Sequence, residues 1–369
     1  MNRPTGALGG LREKSLAIGS LAAFSLAALS LEAFALVNVG CKEPTKGAPP
    51  ASSSVPAVAS SAPSPPETPS ASGEATATSA RIAAASPAAA GATVKLLDSG
   101  QPPRQRLRYA WRIDQKEQLA MDLRTTATTE SAAAKPSEVP LPSVHVVIAI
   151  DPLRVAPDGD LRYAWRVTSA TADAPGDTPS EVTEGMRAEV AGIAHLSGSA
   201  LVTSRGLAKE VSVDPDSSGG AATTGQMAEQ IRQTLRDVAA PLPDEEVGVG
   251  ARWRKMSQLD DRGARVAQTE TFRLVDLQGD RGTLDDALAQ TAPPQALRAP
   301  VASPGARARM ESMLASGEAK VRFDVSRLVP QTTFDGTTTM VLSGQSPGDS
   351  ARSVKMVMRV FIAIAGSRR

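Results

Sequence analysis

Few residues in this 369-residue chain have the type and spacing to do chemistry. It holds two histidines, His145 and His195, and one cysteine, Cys41. The histidines have no partner one helical turn away, so no zinc pattern forms. Gly344-Gln345-Ser346-Pro347-Gly348 matches the G-x-S-x-G of a hydrolase nucleophile elbow. That elbow needs a strand, a sharp turn, a helix and a later histidine. Here Pro347 spoils the turn, strand-like segments lie on both sides, and both histidines come earlier, so a hairpin turn is expected. Gly248-Val249-Gly250 opens like a dinucleotide loop, but Trp253 stands where the third glycine belongs, and a strand follows instead of a helix. Asp244-Glu245-Glu246 lacks an EF-hand loop and reads as a solvated turn. Asp285 and Asp286 are strand neighbours that point to opposite faces, which rules them out as an acid/base pair. The expectation is a non-enzyme with no catalytic, cofactor-binding or metal-ligating residues.

Cys41 is different. As the lone cysteine it cannot form an internal disulfide. Arg3, Arg12 and Lys14 make a basic start, and a small-residue apolar stretch runs from Leu16 to Val39. The segment ending Val39-Gly40-Cys41 resembles a lipoprotein signal peptide, in which a small residue precedes a cysteine that is lipidated and becomes the mature N-terminus. Asn38 departs from the aliphatic residue usual at its position, and Glu32 interrupts the apolar run. An uncleaved membrane anchor and plain secretion are the alternatives. The roughly 17 apolar residues before Glu32 are short for a membrane-spanning helix. The resemblance implies lipidation at Cys41, anchoring by two or more acyl chains, and, with Lys42 next, sorting to the outer membrane.

Three regions follow: a signal peptide at 1–41, a tether at 42–93 and a β-rich extracytoplasmic domain at 94–369. The tether is Ala, Pro, Ser, Thr and Gly with no aromatic residue, so it cannot bury enough apolar area to offset its ordering entropy. As a coil it would average roughly 40 Å end to end, and as extended polyproline II about 150 Å. The chain has 40 Lys plus Arg and 39 Asp plus Glu; removing the three basic and two acidic residues before Cys41 leaves 37 of each. A chain without net charge has no global field to gather nucleic acid.

The elements that would position any site are mostly strands. Leu107-Arg108-Tyr109-Ala110-Trp111-Arg112 recurs as Leu161-Arg162-Tyr163-Ala164-Trp165-Arg166. In both copies Leu, Tyr and Trp alternate with Arg and Ala, the period of a half-buried strand. With the alternating runs 119–124 and 144–150, residues 104–170 predict a four-stranded meander. Ala156-Pro157-Asp158-Gly159-Asp160 is a tight-turn signal within it. Further strands are expected at 194–203, 207–213, 249–258, 266–277, 282–290, 319–328, 332–342 and 353–364. A helix is predicted over 224–239, with Met227, Ile231, Leu235 and Val238 as its stripe and Pro241 as its stop. A second opens with Thr178 as N-cap, Pro179 at the first helical position and Glu181 completing a capping box. Pro293–Pro304 is expected to be a long loop. The sum is about twelve strands and two helices. The fold class is α+β and predominantly antiparallel β, a curved, half-barrel sheet with helices on one face.

Residues 241–253, PLPDEEVGVGARW, resemble a segment of a family of uncharacterised bacterial envelope lipoproteins, a domain of unknown function. Gly100-Gln101 leading to Trp111, and Ser316-Gly317-Glu318-Ala319 leading to Phe323-Asp324, carry the same resemblance. It implies an envelope location and a β-rich domain, and it brings no catalytic residues.

Two functions remain. One is a lipid-anchored module that binds an apolar ligand or lipid between sheet and helices, with Val354, Met356, Met358, Val360, Ile362 and Ile364 as its apolar stripe. The other is a structural or assembly protein that binds envelope proteins, for which outward Arg108, Arg112, Arg162 and Arg166 would suit acidic partners. The membrane is a partner through Cys41 in both. Nucleic acid is not, and no cofactor is implied.

Overall fold

The structure is a computed structural model that describes residues 92–131, 134–176, 178–214, 222–261, 264–297, 307–345 and 352–369. Cys41, Asn38, Glu32, nearly all of the tether, and Ser346 to Gly348 lie outside the described residues.

The early strands are β1 (Thr93–Asp98), β2 (Gln105–Arg106), β3 (Glu117–Ser131), β4 (Ala134–Pro140), β5 (Ser143–Val155) and β6 (Leu161–Asp173). Helix α1 (Ser180–Ile193), β7 (Ser197–Val202), β8 (Ala208–Val213) and helix α2 (Ala222–Arg236) follow. Next come β9 (Glu246–Val247), β10 (Arg252–Asp261), β11 (Ala264–Gln278), β12 (Arg281–Ala292) and β13 (Gln295–Leu297). The chain closes with β14 (Arg307–Asp324), β15 (Gln331–Gln345) and β16 (Arg352–Arg368). The expected α+β class, mostly antiparallel β with two helices, is what the chain forms.

One sheet takes the order β1-β10-β11-β12-β14-β15-β16-β3-β5-β6-β7-β8, and every pairing is antiparallel. It is not closed: β1 and β8 are free edges. Along each long strand one parity is buried and the other exposed, as in β11, where Val266, Gln268, Glu270, Phe272 and Leu274 face inward. A sheet with one wet face has this pattern.

Strands β6 and β10 stand eight places apart in that order, about 38 Å if the sheet were flat. Yet both bond to one short segment. Tyr163 Oη donates to the Leu235 carbonyl at 3.5 Å, and Trp253 Nε1 to the Pro241 carbonyl at 2.8 Å. Six residues reach at most about 20 Å, so the sheet must curl to bring its two flanks onto the end of α2.

The predicted meander is corrected. Copy two of the repeat is β6, with Leu161, Tyr163, Trp165 and Val167 all buried. Copy one is not a strand. Leu107 and Tyr109 are buried as predicted, Trp111 is half-buried, and Ile113 is 59% exposed. Its backbone partners come from two different turns: Tyr109 N–H donates to the Ser204 carbonyl and Ala110 N–H to that of Val325, both at 2.8 Å. The segment crosses strand ends instead of pairing along a strand, and so keeps a strand's burial alternation without its ladder.

The capping expectation at α1 is also corrected. Pro179 occupies the N-cap, with no side-chain cap bond, and its carbonyl accepts from Thr183 N–H at 3.1 Å. The Thr178 hydroxyl donates instead to the Pro140 carbonyl, 3.3 Å away. In α2, Ile231, Leu235 and the following Val238 are buried as the stripe predicts. Part of the expected 293–304 loop is strand β13, paired with β14. No helix among the described residues is long and apolar enough to cross a membrane.

Candidate functional site

The inward face of the sheet is a grid set by strand register. One cross-strand row reads Ser257, Gln268, Gln290, Ala315, Thr338, Met358, Ala127. The next reads Lys255, Glu270, Leu288, Gly317, Gly336, Val360, Thr125, and a third Trp253, Phe272, Asp286, Ala319, Phe334, Ile362, Leu123. Small residues therefore meet at its middle: Ala315, Gly317 and Ala319 on β14, Gly336 and Thr338 on β15.

The tip of the Phe334 ring occupies this trough over both glycines. A Cβ on Gly317 would stand 2.2 Å from its Cζ, and one on Gly336 2.4 Å from the same atom. Methionines flank the trough: Met310, Met313, Met340, Met356 and Met358 are all buried, five of the ten in the chain. Thioether side chains repack at low cost, which suits a surface that adapts to its contents. Hydroxyl oxygens of Thr125, Thr332 and Thr338 are buried there without a hydrogen-bond partner. A few polar atoms in an apolar lining are what orient a ligand.

One flank of the grid is ionic. Lys255 Nζ sits 2.5 Å from Asp237 Oδ1, just past the end of α2, and 2.7 Å from Glu270 Oε2 on β11. All three are almost fully buried. Burial opposes the Lys255 charge, yet the two carboxylates outweigh it and raise its pKa above the ordinary lysine value. Burial, with Asp237 alongside, raises Glu270 above the ordinary carboxylate range against the pull of Lys255. One cation serves two buried carboxylates, so a proton on Glu270 makes the cluster neutral. Their geometry is that of a clamp between α2 and the sheet.

Sequence reasoning missed this cluster. Its signal was present: Lys255 shares the inward parity of Trp253 and Leu259, and Glu270 that of Val266 and Phe272.

The other named residues do not converge. His145 Nδ1 is 2.7 Å from Asp122 Oδ1 on the exposed face, and His195 is exposed far along the chain. Asp286 is buried and Asp285 half-exposed, so the opposite-face reading holds. No group of three or more metal-ligating side chains occurs among the described residues. Asp244 pairs with Arg108, which also donates to the Pro243 carbonyl at 2.9 Å. Arg112 pairs with Asp114 and Arg162 with Glu210, each at 3.3 Å, so three of the four repeat arginines are engaged locally. Trp253 and Trp165 are in the core as expected; Trp111 packs half-buried against Tyr109, ring centroids 4.4 Å apart.

Two segments that carry the family resemblance touch each other. Gln101 N–H donates to the Val249 carbonyl at 2.8 Å, and a Cβ on Gly248 would lie 1.8 Å from the Gln101 carbonyl oxygen. Gly250 supplies the positive φ, +86°, that turns the chain into β10. No family model matches this chain, and no curated protein matches it. The resemblance to envelope lipoproteins therefore rests on the quoted segments alone.

Proposed function

We propose that this protein is a lipoprotein of the bacterial cell envelope, anchored through Cys41, whose non-catalytic domain holds an apolar ligand or lipid in a half-barrel sheet. The observation that carries the reading is the trough at Ala315, Gly317, Ala319, Gly336 and Thr338, bordered by five methionines. It lies on the inner face of a curled, open sheet, the place where such a sheet can take up an acyl chain. Lipidation, outer-membrane sorting and membership of the envelope family belong to the same proposal.

A second reading, an envelope structural or assembly protein, is favoured by the free edges. Strands β1 and β8 each present six residues with one side unpaired, and an unpaired edge is a template for a partner's strand.

Purification of the full chain from native membranes tests both parts. Mass spectrometry should find Cys41 acylated at the mature N-terminus, and a solvent extract should contain acyl lipid in proportion to protein. Thr338→Leu, which adds bulk to the trough beside Phe334, should reduce that lipid severalfold in a folded protein. An unmodified Cys41 on an intact N-terminus overturns the anchor. A clean extract from an acylated protein overturns the ligand and leaves the assembly reading.

A further inference from the structure

We infer that a cleft at one end of the sheet, between the β11–β12 and β14–β15 turns, binds a phosphate-type oxyanion through Arg322, Arg327 and Arg368. The cleft has a volume of about 810 Å³. Four guanidinium groups line it, those of Arg281, Arg322, Arg327 and Arg368. Arg281 is already used: its Nε donates to Asp324 Oδ2 at 3.1 Å. The other three have donors to spare.

Arg327 stands in the wall of the cleft. Its Nε and Nη2 are buried and have no hydrogen-bond partner. The nearest carboxylate oxygen, Glu117 Oε2, is 3.7 Å from Nε, and that carboxylate already accepts the backbone N–H groups of Leu328 at 2.7 Å and Val329 at 3.2 Å. These two donors are closed off on the Glu117 side, so Arg327 contributes its charge to the wall of the cleft, and the exposed forks of Arg322 and Arg368 are the donors a phosphate-type oxyanion would meet. Arg322 and Arg368 are exposed and form no ion pair or hydrogen bond with side chains among the described residues.

Three carboxylates also line the cleft, Asp276, Asp280 and Asp324, and none lies within ion-pair distance of Arg322, Arg327 or Arg368 among the described residues. Asp324 is occupied by Arg281 and by the Ser326 N–H and hydroxyl, at 2.9 and 2.7 Å. Asp276 accepts from the Gln278 amide at 3.1 Å. Phe323 and Val329 line the cleft and are also part of the buried core, so the cleft opens beside the apolar interior. A free phosphate and the headgroup of an anionic lipid share the required chemistry.

The test is calorimetric titration of the full chain with inorganic phosphate, and separately with dihexanoyl phosphatidic acid and dihexanoyl phosphatidylcholine below their micelle concentrations. Saturable binding of phosphate or phosphatidic acid that weakens with added NaCl is expected. The Arg322→Gln/Arg368→Gln double variant changes two exposed side chains and should keep its unfolding temperature while losing about tenfold or more in affinity. Equal affinity for phosphate and phosphatidic acid assigns the site to a free oxyanion; much tighter phosphatidic acid binding assigns it to a headgroup. Failure of both anions to bind, undiminished binding by the double variant, or equal binding of phosphatidylcholine overturns the inference. The trough is judged apart: lipid still co-extracted with the double variant leaves the trough standing when the cleft fails, and phosphate binding with a clean extract does the reverse.

Discussion

Phe334 can lie where it does because two neighbouring strands lack side chains at that height. Register puts Gly317 opposite Gly336, and the ring of Phe334 covers both. In Gly336→Ala the new methyl must push that ring, and overpacking of this kind costs about 1–3 kcal/mol. The urea midpoint of Gly336→Ala should fall while its m-value stays that of the wild type; an unshifted midpoint would falsify the close ring contact. Such contacts lie below what a sequence displays, since both glycines read as generic breaks in apolar alternation. The aromatic residues were easier. Tyr163 and Trp165 are buried because β6 obeys its period, with neighbours on both sides. Leu107 and Tyr109 are buried by the same alternation, but alternation fixes which side chains point inward and says nothing about where the backbone bonds go. For Tyr109 and Ala110 they go to Ser204 and Val325, residues about 95 and 215 positions away in a chain that only the folded state brings together.

The strands show where sequence patterns lose force. Strand β14 begins at Arg307, well before the expected 319, and its register shifts between Met310 and Ser312. The shift places Met310 and Met313 both inward and so breaks the two-residue period. Strand β4 contains Pro136 and Pro140 and is not among the expected strands, yet it pairs with β3 alone, and an edge tolerates proline. At the same scale, the Lys255 cluster ties α2 to β10 and β11. Lys255→Met leaves Asp237 and Glu270 buried without a cation and should cost about 3–5 kcal/mol. Adding Glu270→Gln should restore part of that loss, measured by chemical unfolding. The pH dependence has a definite sign. The folded protein holds the Glu270 proton more tightly than the unfolded chain does, so this group favours folding most at acid pH. That stability is lost as pH rises from the ordinary glutamate value, about 4.3, through the raised folded value. Glu270→Gln removes the titration, and its melting temperature should gain on the wild type as pH rises from about 4 toward neutrality. A constant difference over that range would mean that Glu270 does not titrate abnormally. Lys255, raised above its ordinary value, contributes stability that persists through neutral pH and is lost only in strong alkali.

At the scale of the whole molecule, the sheet has two flanks that share no strand pairing, and one short segment holds them together. Trp253 on β10 bonds to Pro241, Tyr163 on β6 to Leu235, and Tyr109 Oη donates to the Ala240 carbonyl at 3.0 Å. Burial raises the pKa of both tyrosines well above the ordinary phenol value, so these hydroxyls remain donors throughout the range in which the protein would function. If this strap sets the curl, the flanks should open as one unit, because separating either from residues 235–241 exposes the inner face that both enclose. Hydrogen exchange followed by mass spectrometry should therefore give amides in β10–β12 and in β5–β7 the same opening free energy. In Trp253→Phe the Pro241 carbonyl loses its donor, at a cost of about 1–3 kcal/mol for a buried acceptor. Exchange in β10–β12 should then become faster than in β5–β7, since the lost bond frees only the first flank. Two different free energies in the wild type would mean that the sheet is two cooperative units and that the trough between them opens without the strap. An unaltered pattern in Trp253→Phe would place the curl in the strands' own twist.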